Sequence, residues 1–133
     1  MSDENVEVVR SYYESSDLAA GIDLLADNVT LVFHGEARRL SGATTVSGKD
    51  SAVRWLADWF SRFGRDYSMT IDEVRDLDRG ILVVTRHRAT GRQSGASIDE
   101  KTAQIMLVND GQIVRQEFFS DRDEALKAAG LSE

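Results

Sequence analysis

Two apolar runs near the C-terminus flank the tripeptide Asn109-Asp110-Gly111. Asn, Asp and Gly tolerate the positive φ angles of tight hairpin turns, so this tripeptide predicts a hairpin of two strands, over residues 98–108 and 112–120. Asp121 and Glu124 then form a capping pair that predicts a short final helix. A hairpin followed at once by a capped helix restricts this third of the chain to antiparallel strands and a helix, an arrangement that suggests a fold built around a ligand cavity.

The remaining sequence predicts helices first and strands afterwards. A helix begins at Ser2 or Asp3, a shorter one follows residues 15–17, and the strongest spans residues 49–63 with an aromatic stripe. Further strands are expected over residues 28–34, 68–77 and 81–90, with a polar loop over residues 35–48. Short turns between strands mean antiparallel pairing, and grouped helices mean an α+β fold with helices on one face of the sheet. The 133 residues fit one domain, over residues 1–133.

Composition excludes several classes of function. The formal net charge of −7 argues against nucleic acid and anionic membrane as partners. No apolar run approaches the roughly 20 residues of a membrane span, and the acidic N-terminus has no signal-peptide pattern, so a cytoplasmic location is expected. The chain has no cysteine and only two histidines, none of them at metal-ligand spacing. No glycine-rich nucleotide fingerprint is present. We therefore expect neither a metal nor a cofactor.

Alternation along the strands separates an uncharged face of the sheet from a mixed one. The uncharged face is predicted to carry Ile81, Val83, Thr85, His87, Ala89, Met106, Val108, Val114, Gln116 and Phe118. We assign this face to the helices. The mixed face, which includes Ile113 and Arg115, is expected to be solvated or to form a homodimer interface. His87 and Gln116 then lie among apolar neighbours and need a partner from the protein, or from water or a ligand in a cavity.

Several segments in this order resemble the SnoaL-like branch of the NTF2-like superfamily. They are Val6-Glu-Val-Val-Arg-Ser-Tyr-Tyr13, Leu25-Ala-Asp-Asn-Val29, the stretch from Leu40 to Val53, Asp110-Gly-Gln-Ile-Val-Arg115 and Asp121-Arg-Asp-Glu-Ala-Leu126. The resemblance implies a cone-shaped, strongly curved antiparallel sheet around N-terminal helices, with an internal pocket and often a dimer through the open sheet face. Its members include ketosteroid-isomerase-like enzymes, polyketide cyclases, epoxide hydrolases, dehydratases and binding modules, so fold does not give function.

The catalytic carboxylates of these relatives have no clear counterpart here. Isomerase-like members place an Asp near the end of the first strand, where this chain has Phe33-His34. Hydrolase-like members place an Asp in the last strand, where Phe118 stands beside Glu117. SnoaL-type cyclases use a His and an Asp, and His87 supplies only the first.

Two histidines are candidate acid/base groups. An imidazole titrates near neutrality, so His87 under the aromatic helix is the first candidate. The alternative is a core histidine that is hydrogen-bonded to the backbone, to Tyr12 or to Tyr13. His34 precedes Gly35 at a predicted pocket mouth, and the alternative for it is an ordinary loop histidine.

Aromatic and amide side chains are candidate ligand contacts. Tyr13, as a third catalytic candidate, and Tyr12 could donate to an oxyanion, or simply pack as an amphipathic pair. Further predicted pocket walls are Trp55, Trp59, Gln116 and Phe118.

The sequence thus predicts a protein that binds a small, largely apolar organic molecule, with cofactor-free isomerase or cyclase chemistry as a possible extension. Two alternatives stay open. One is a non-enzymatic carrier or sensor, and the other is an interaction module that uses the open sheet face.

Overall fold

The computed structural model describes residues 2–14, 21–42, 44–61, 67–77, 80–90 and 97–130, and its α+β architecture confirms the predicted fold. Its helices are α1 (Ser2–Glu14), α2 (Gly35–Ser41), α3 (Lys49–Phe60) and α4 (Arg122–Ala128). Its strands are β1 (Leu25–Phe33), β2 (Thr45–Ser47), β3 (Ser68–Asp76), β4 (Ile81–Thr90), β5 (Ser97–Asn109) and β6 (Gln112–Phe119). The start of the predicted second helix and residues 62–63 of the predicted third one lie outside the described residues.

The six strands form one sheet in the order β2-β1-β6-β5-β4-β3. Strands β3 to β6 pair antiparallel, as the short turns predict. The predicted hairpin turn is present, with Asp110 at φ 52° and Gly111 at φ 77°. Strand β1 adds to β6 in parallel, with Leu31 opposite Gln116, so the sheet is mixed at this point. Register shifts in β3 and between β5 and β6 are bulges that bend the sheet.

The segment over residues 35–48 is more regular than the predicted polar loop. It contains α2 and β2, and β2 pairs with β1 as an edge strand. Gly35 is the first residue of α2, and Gly42 is its C-cap. Their φ angles are positive, 53° and 76°, and glycine is favoured at such angles because it has no Cβ atom. Only three residues of β2 pair, so no alternation of side chains was long enough to signal a strand.

The main core lies between the sheet and helices α1 and α3, on the predicted face. Val9 of α1, Ala52 of α3 and Leu31, Val83 and Met106 of the sheet are fully buried there. The apolar stripes of α1 and α3 at i, i+3 and i+4 spacing explain this packing. No helix in the described part of the chain has the length and apolar character to cross a bilayer.

A second core lies on the mixed face, under α4. Leu126 of α4 packs with Leu82, Ile105 and Phe119 of the sheet, and all four are buried. The Asp121 side chain caps this helix by accepting a hydrogen bond from the Glu124 amide at 2.8 Å, as the capping pair predicts. The apolar residues of the mixed face are therefore covered to a large extent by the chain's own last helix.

One predicted facing is wrong at the start of β6. Ile113 is fully buried in the main core, whereas Val114 is half-buried outside it. The ladder pairs Leu107 with Arg115 but Val108 with Ile113, which leaves Val114 as the extra residue of a bulge. A bulge of one residue reverses the alternation beyond it, and Ile113 turns inward.

Candidate functional site

A cavity of about 1420 Å³ opens between the curved sheet and helices α1 and α3. Its lining is mostly apolar and rich in aromatic side chains, with a small group of polar side chains and the charged Arg10, Glu14, Glu100 and Lys101. The aromatic residues that line it are Tyr12, Tyr13, Phe33, Trp55, Trp59, Phe60, Tyr67 and Phe118. The inner polar residues are His87, Thr102, Gln104 and Gln116. Apolar walls with a few convergent polar groups are typical of small-molecule sites.

Helix α3 and strands β1 and β6 build the aromatic wall. Trp55 and Trp59, one turn apart on α3, stack at 5.6 Å between ring centroids. Phe33 and Phe118 stack at 4.9 Å across the β1–β6 pair. Trp55 joins the two pairs, with its ring centroid 4.7 Å from that of Phe33. Trp55, Trp59 and Phe118 thus line the cavity together.

His87 holds hydrogen-bond partners at both ring nitrogens. Its Nδ1 lies 2.7 Å from the Tyr67 hydroxyl, and its Nε2 lies 2.9 Å from Thr85 Oγ1 and 3.2 Å from Thr102 Oγ1. Burial lowers the pKa of His87 below its usual 6.5, because desolvation disfavours the charged ring. At neutral pH the ring is therefore an uncharged imidazole with one donor and one acceptor nitrogen.

The polar contacts continue from His87 across the cavity. Gln104 donates to Thr102 Oγ1 at 2.8 Å and accepts from the Tyr13 hydroxyl at 3.1 Å. Gln116 donates to the Tyr13 hydroxyl at 3.1 Å and accepts from Tyr12 at 3.4 Å. Both residues are buried, with exposures of 4% for Gln104 and 2% for Gln116. Buried polar groups are expected to be hydrogen-bonded, and here the protein itself supplies the partners. We call this chain of residues, from Tyr67 through His87 to Tyr12, the polar network.

Two tautomers of His87 fit these contacts. Thr85 Oγ1 lies within hydrogen-bond distance of His87 Nε2, Thr102 Oγ1 and Gln104 Oε1, so its single hydrogen has three acceptors within reach. With the proton on Nε2, Nδ1 accepts from the Tyr67 hydroxyl; with the proton on Nδ1, Nε2 accepts from a threonine hydroxyl. In both tautomers the Tyr67 hydroxyl covers Nδ1.

The tyrosines of the polar network are neutral donors. Burial raises the pKa of Tyr67 to about 12 and raises the pKa values of Tyr12 and Tyr13 as well. For Tyr13 the neighbouring Tyr12 adds to the effect of burial. Phenolate is therefore absent at neutral pH, and these groups can donate hydrogen bonds to a ligand oxygen.

His34 lies away from this group. Its Nε2 is 2.8 Å from Glu117 Oε1, and its ring stacks on Phe119 at 4.6 Å. It precedes the first turn of α2 and is not among the residues that line the cavity. Glu117 also pairs with Arg115 at 3.3 Å, on the face opposite to Gln116 and Phe118. The structure therefore brings together seven of the predicted site residues but not His34.

Sequence reasoning missed Tyr67, Thr102 and Gln104. Alternation from Met106 toward the start of β5 would have placed Gln104 and Thr102 on the uncharged face. Tyr67 immediately precedes β3 and belongs to no periodic pattern, so only the fold shows its contact with His87. Within the described residues, no group of three or more His, Cys, Asp or Glu side chains is placed to hold a metal ion.

Comparison with known proteins places the fold in a defined family. The family model of the SnoaL-like domain matches residues 7–116. No curated protein matches the chain. The fold is similar to that of a proposed SnoaL-like polyketide cyclase from Jannaschia sp. CCS1, with a TM-score of 0.75 and 17% identity over 98% of this chain and 94% of that one.

Two further similar structures contain small molecules. TerC, co-crystallised with polyporic acid, matches with a TM-score of 0.72 and 16% identity over 96% of this chain and 98% of that one. A protein of ketosteroid isomerase-like fold from Catenulispora acidiphila DSM 44928, in complex with trimethylamine, matches with a TM-score of 0.67 and 15% identity over 95% and 94% of the two chains. At such identities the likeness establishes the fold alone.

Proposed function

This chain belongs to the SnoaL-like domain family, and we propose that it binds a small, largely apolar organic molecule in the cavity between α1, α3 and the sheet. The observation that carries the proposal is the polar network on a cavity surface that is otherwise mostly apolar and rich in aromatic side chains. Stacked rings favour a flat apolar body, and neutral donors fix the position of an oxygen on it. The small molecules in the TerC and Catenulispora structures support a ligand site in this fold.

The His87–Tyr67 pair supports acid/base chemistry on such a ligand. A neutral imidazole in a buried site is a suitable proton acceptor, and a neutral phenol is a suitable donor to a carbonyl oxygen. Enolisation, as in an isomerase or a cyclase, moves a proton between ligand and protein without any change in oxidation state. We propose His87 as the base, acting when a ligand displaces Tyr67 from Nδ1, with Tyr67 or Tyr13 as the oxygen donor.

A carrier or sensor is the second candidate, because one observation favours it. Both ring nitrogens of His87 are already partnered within the protein. A histidine held in this way can serve to order the cavity surface rather than to transfer protons. An interaction module is less well supported, since α4 covers much of the apolar surface on the mixed face.

A homodimer through the mixed face and a cytoplasmic location stay predictions. The part of this face beyond α4 carries Arg86, paired with Asp99 at 2.8 Å, and the exposed Arg88. Sedimentation equilibrium with the variant Arg88→Glu tests the dimer, because a charge reversal at an interface weakens association. A wild-type chain that stays monomeric at high concentration contradicts it.

Binding is tested with 2-naphthol, a flat apolar molecule with one hydroxyl group, by titration calorimetry. We expect saturable binding to the wild-type chain and affinity at least about tenfold weaker in Trp55→Ala, which removes the centre of the aromatic wall. Arg54→Ala is the control, since Arg54 is the exposed neighbour on the same helix. Thermal unfolding of each variant verifies its fold. No binding to the wild-type chain contradicts the proposal.

Catalysis is tested separately, by proton NMR of 2-tetralone in D₂O. Its acidic C–H bonds next to the carbonyl exchange for deuterium when an acid/base pair acts on them. We expect the protein to accelerate exchange over buffer, and His87→Gln and Tyr67→Phe to reduce the acceleration by about 100-fold or more. Binding of 2-naphthol without accelerated exchange favours the carrier.

A further inference from the structure

Glu100 stands directly across the β4–β5 ladder from His87. Residues that oppose each other in an antiparallel pair point to the same face, with Cβ atoms about 4.5–5.5 Å apart. Both residues line the cavity. The neighbouring ladder pairs, Arg86 with Lys101 and Arg88 with Asp99, alternate to the opposite face, although Lys101 also contributes to the lining of the cavity.

The Glu100 carboxylate is uncommitted. Within the described residues it makes no hydrogen bond and no ion pair, and it is exposed at the rim of the cavity. Two acidic residues of the neighbouring sheet positions, Asp99 and Asp72, are engaged in ion pairs. Asp99 binds Arg86 at 2.8 Å and Arg88 at 3.7 Å, and Asp72 binds Lys101 at 3.0 Å.

The groups in contact with His87 carry no charge, whereas the lining of the cavity also includes the cations Arg10 and Lys101. Strand β3 places Met69 opposite it, and the residue before β3 supplies the neutral Tyr67. Its own strand supplies Thr85 and β5 supplies Thr102. Helix α1 reaches this region through the neutral Tyr13, and its own carboxylate on the cavity wall, Glu14, is exposed.

We propose that Glu100 is the counter-charge of His87, a carboxylate that stabilises the imidazolium when His87 takes up a proton. An anion on the same face, directly across the ladder, favours the charged ring by Coulomb attraction and opposes the effect of burial. The proton moves from the ligand, or from water, to His87 Nδ1, and the carboxylate keeps its charge. Glu100 is thus a positioning residue for the acid/base chemistry, an inference that rests on the proposed function.

This placement differs from the carboxylate positions that the family resemblance implies. At the end of β1 the chain has Phe33-His34, and in β6 the carboxylate of Glu117 binds His34 on the far face of the sheet. The carboxylate on the His87 side of the sheet comes instead from β5, through the register of the β4–β5 pair.

The test is an NMR titration of the histidine Cε1 protons in the full chain without ligand. The chain has two histidines, so both signals can be resolved and assigned with His34→Gln. We expect Glu100→Gln to lower the pKa of His87 by about 0.5 or more. Asp99→Asn, which removes the same charge from the adjacent residue on the opposite face, is expected to leave it unchanged. An unchanged pKa of His87 in Glu100→Gln overturns the inference.

A second variant and a separate readout keep the result unambiguous. If Glu100→Gln does not fold, Glu100→Thr removes the charge with a residue that favours strands, and the same lowering is expected. The titration needs no ligand, so its outcome is independent of 2-naphthol binding. A chain that binds 2-naphthol and shows no effect of Glu100 retains the proposed function and loses this inference. A chain with the expected pKa change but no ligand binding loses the proposed function, and the inference about chemistry falls with it.

Discussion

The hydroxyl of Tyr67 lies 2.7 Å from Nδ1 of His87, and this contact joins the residue before β3 to the middle of β4 at the edge of the cavity. It covers Nδ1 of the only histidine that lines the cavity within the described residues. Under the proposed function, access to Nδ1 therefore depends on one phenol, whose pKa is raised to about 12 by burial.

The three tyrosines of the chain should all resist ionisation. They are Tyr12, Tyr13 and Tyr67, and burial raises the pKa of each. A pH titration of absorbance at 295 nm should therefore show no step near pH 10 in the folded protein. The first step should come near pH 12 or together with unfolding, whereas the urea-unfolded chain titrates near its ordinary value of about 10. One reversible step near pH 10 in the folded protein contradicts the buried network.

Acid should destabilise the protein through His87. Its pKa is below 6.5 in the folded state, so the unfolded state binds the proton first as pH falls. Stability is then lost as pH decreases from about 6.5 toward the lower folded pKa, where the loss levels off. Urea unfolding at about pH 7.5 and about pH 5 should show a smaller decrease for His87→Gln than for the wild-type chain. His34→Gln is the control, and an equal decrease in all three proteins refutes the prediction.

Removal of the Tyr13 hydroxyl should cost more than removal of the Tyr12 hydroxyl. Tyr13→Phe deprives both buried glutamines, Gln104 and Gln116, of a partner, and we expect a loss of about 1–3 kcal/mol in the free energy of unfolding. Tyr12 makes one long contact of 3.4 Å, so Tyr12→Phe should cost less than about 1 kcal/mol. Urea unfolding measures both. The reverse order, or equal effects, is evidence against the polar network.

The bulge in β6 should be visible in a pair of alanine variants. Ile113→Ala empties a fully buried position and should cost about 2–5 kcal/mol. Val114→Ala, at the half-buried bulge residue, should cost about 1 kcal/mol or less. Urea unfolding measures both losses in the free energy of unfolding. Without the bulge, simple alternation would bury Val114 instead of Ile113, and the larger loss would then come from Val114→Ala.

Local patterns in the sequence predicted much of the fold. The turn at Asn109-Asp110-Gly111, the Asp121–Glu124 capping pair and the aromatic stripe of α3 each depend on residues within a few positions of one another. Such interactions are present in the local chain itself, so they can be recognised without the fold. Together with alternation along β4 and β6, they also indicated which face of the sheet the helices cover.

The site could be predicted only in part, because only some of its contacts follow from local patterns. Alternation put His87, Gln116 and Phe118 on one face, and the periodicity of α3 supplied Trp55 and Trp59. It ranked His87 first but gave no facing for His34, because a residue at a strand end has no fixed facing. It also failed at Ile113, because a bulge adds one residue that leaves no signature in the composition.

By itself, the sequence determined the class of fold, the cap of α4 and the hairpin, since all of these follow from short-range periodicity and residue type. Only the tertiary structure decided that Tyr67 meets His87, that Gln104 and Gln116 share Tyr13, and that Glu100 faces His87. These contacts join residues up to 103 positions apart. Their geometry depends on strand register, bulges and the docking of α1, and these are settled when the whole core packs.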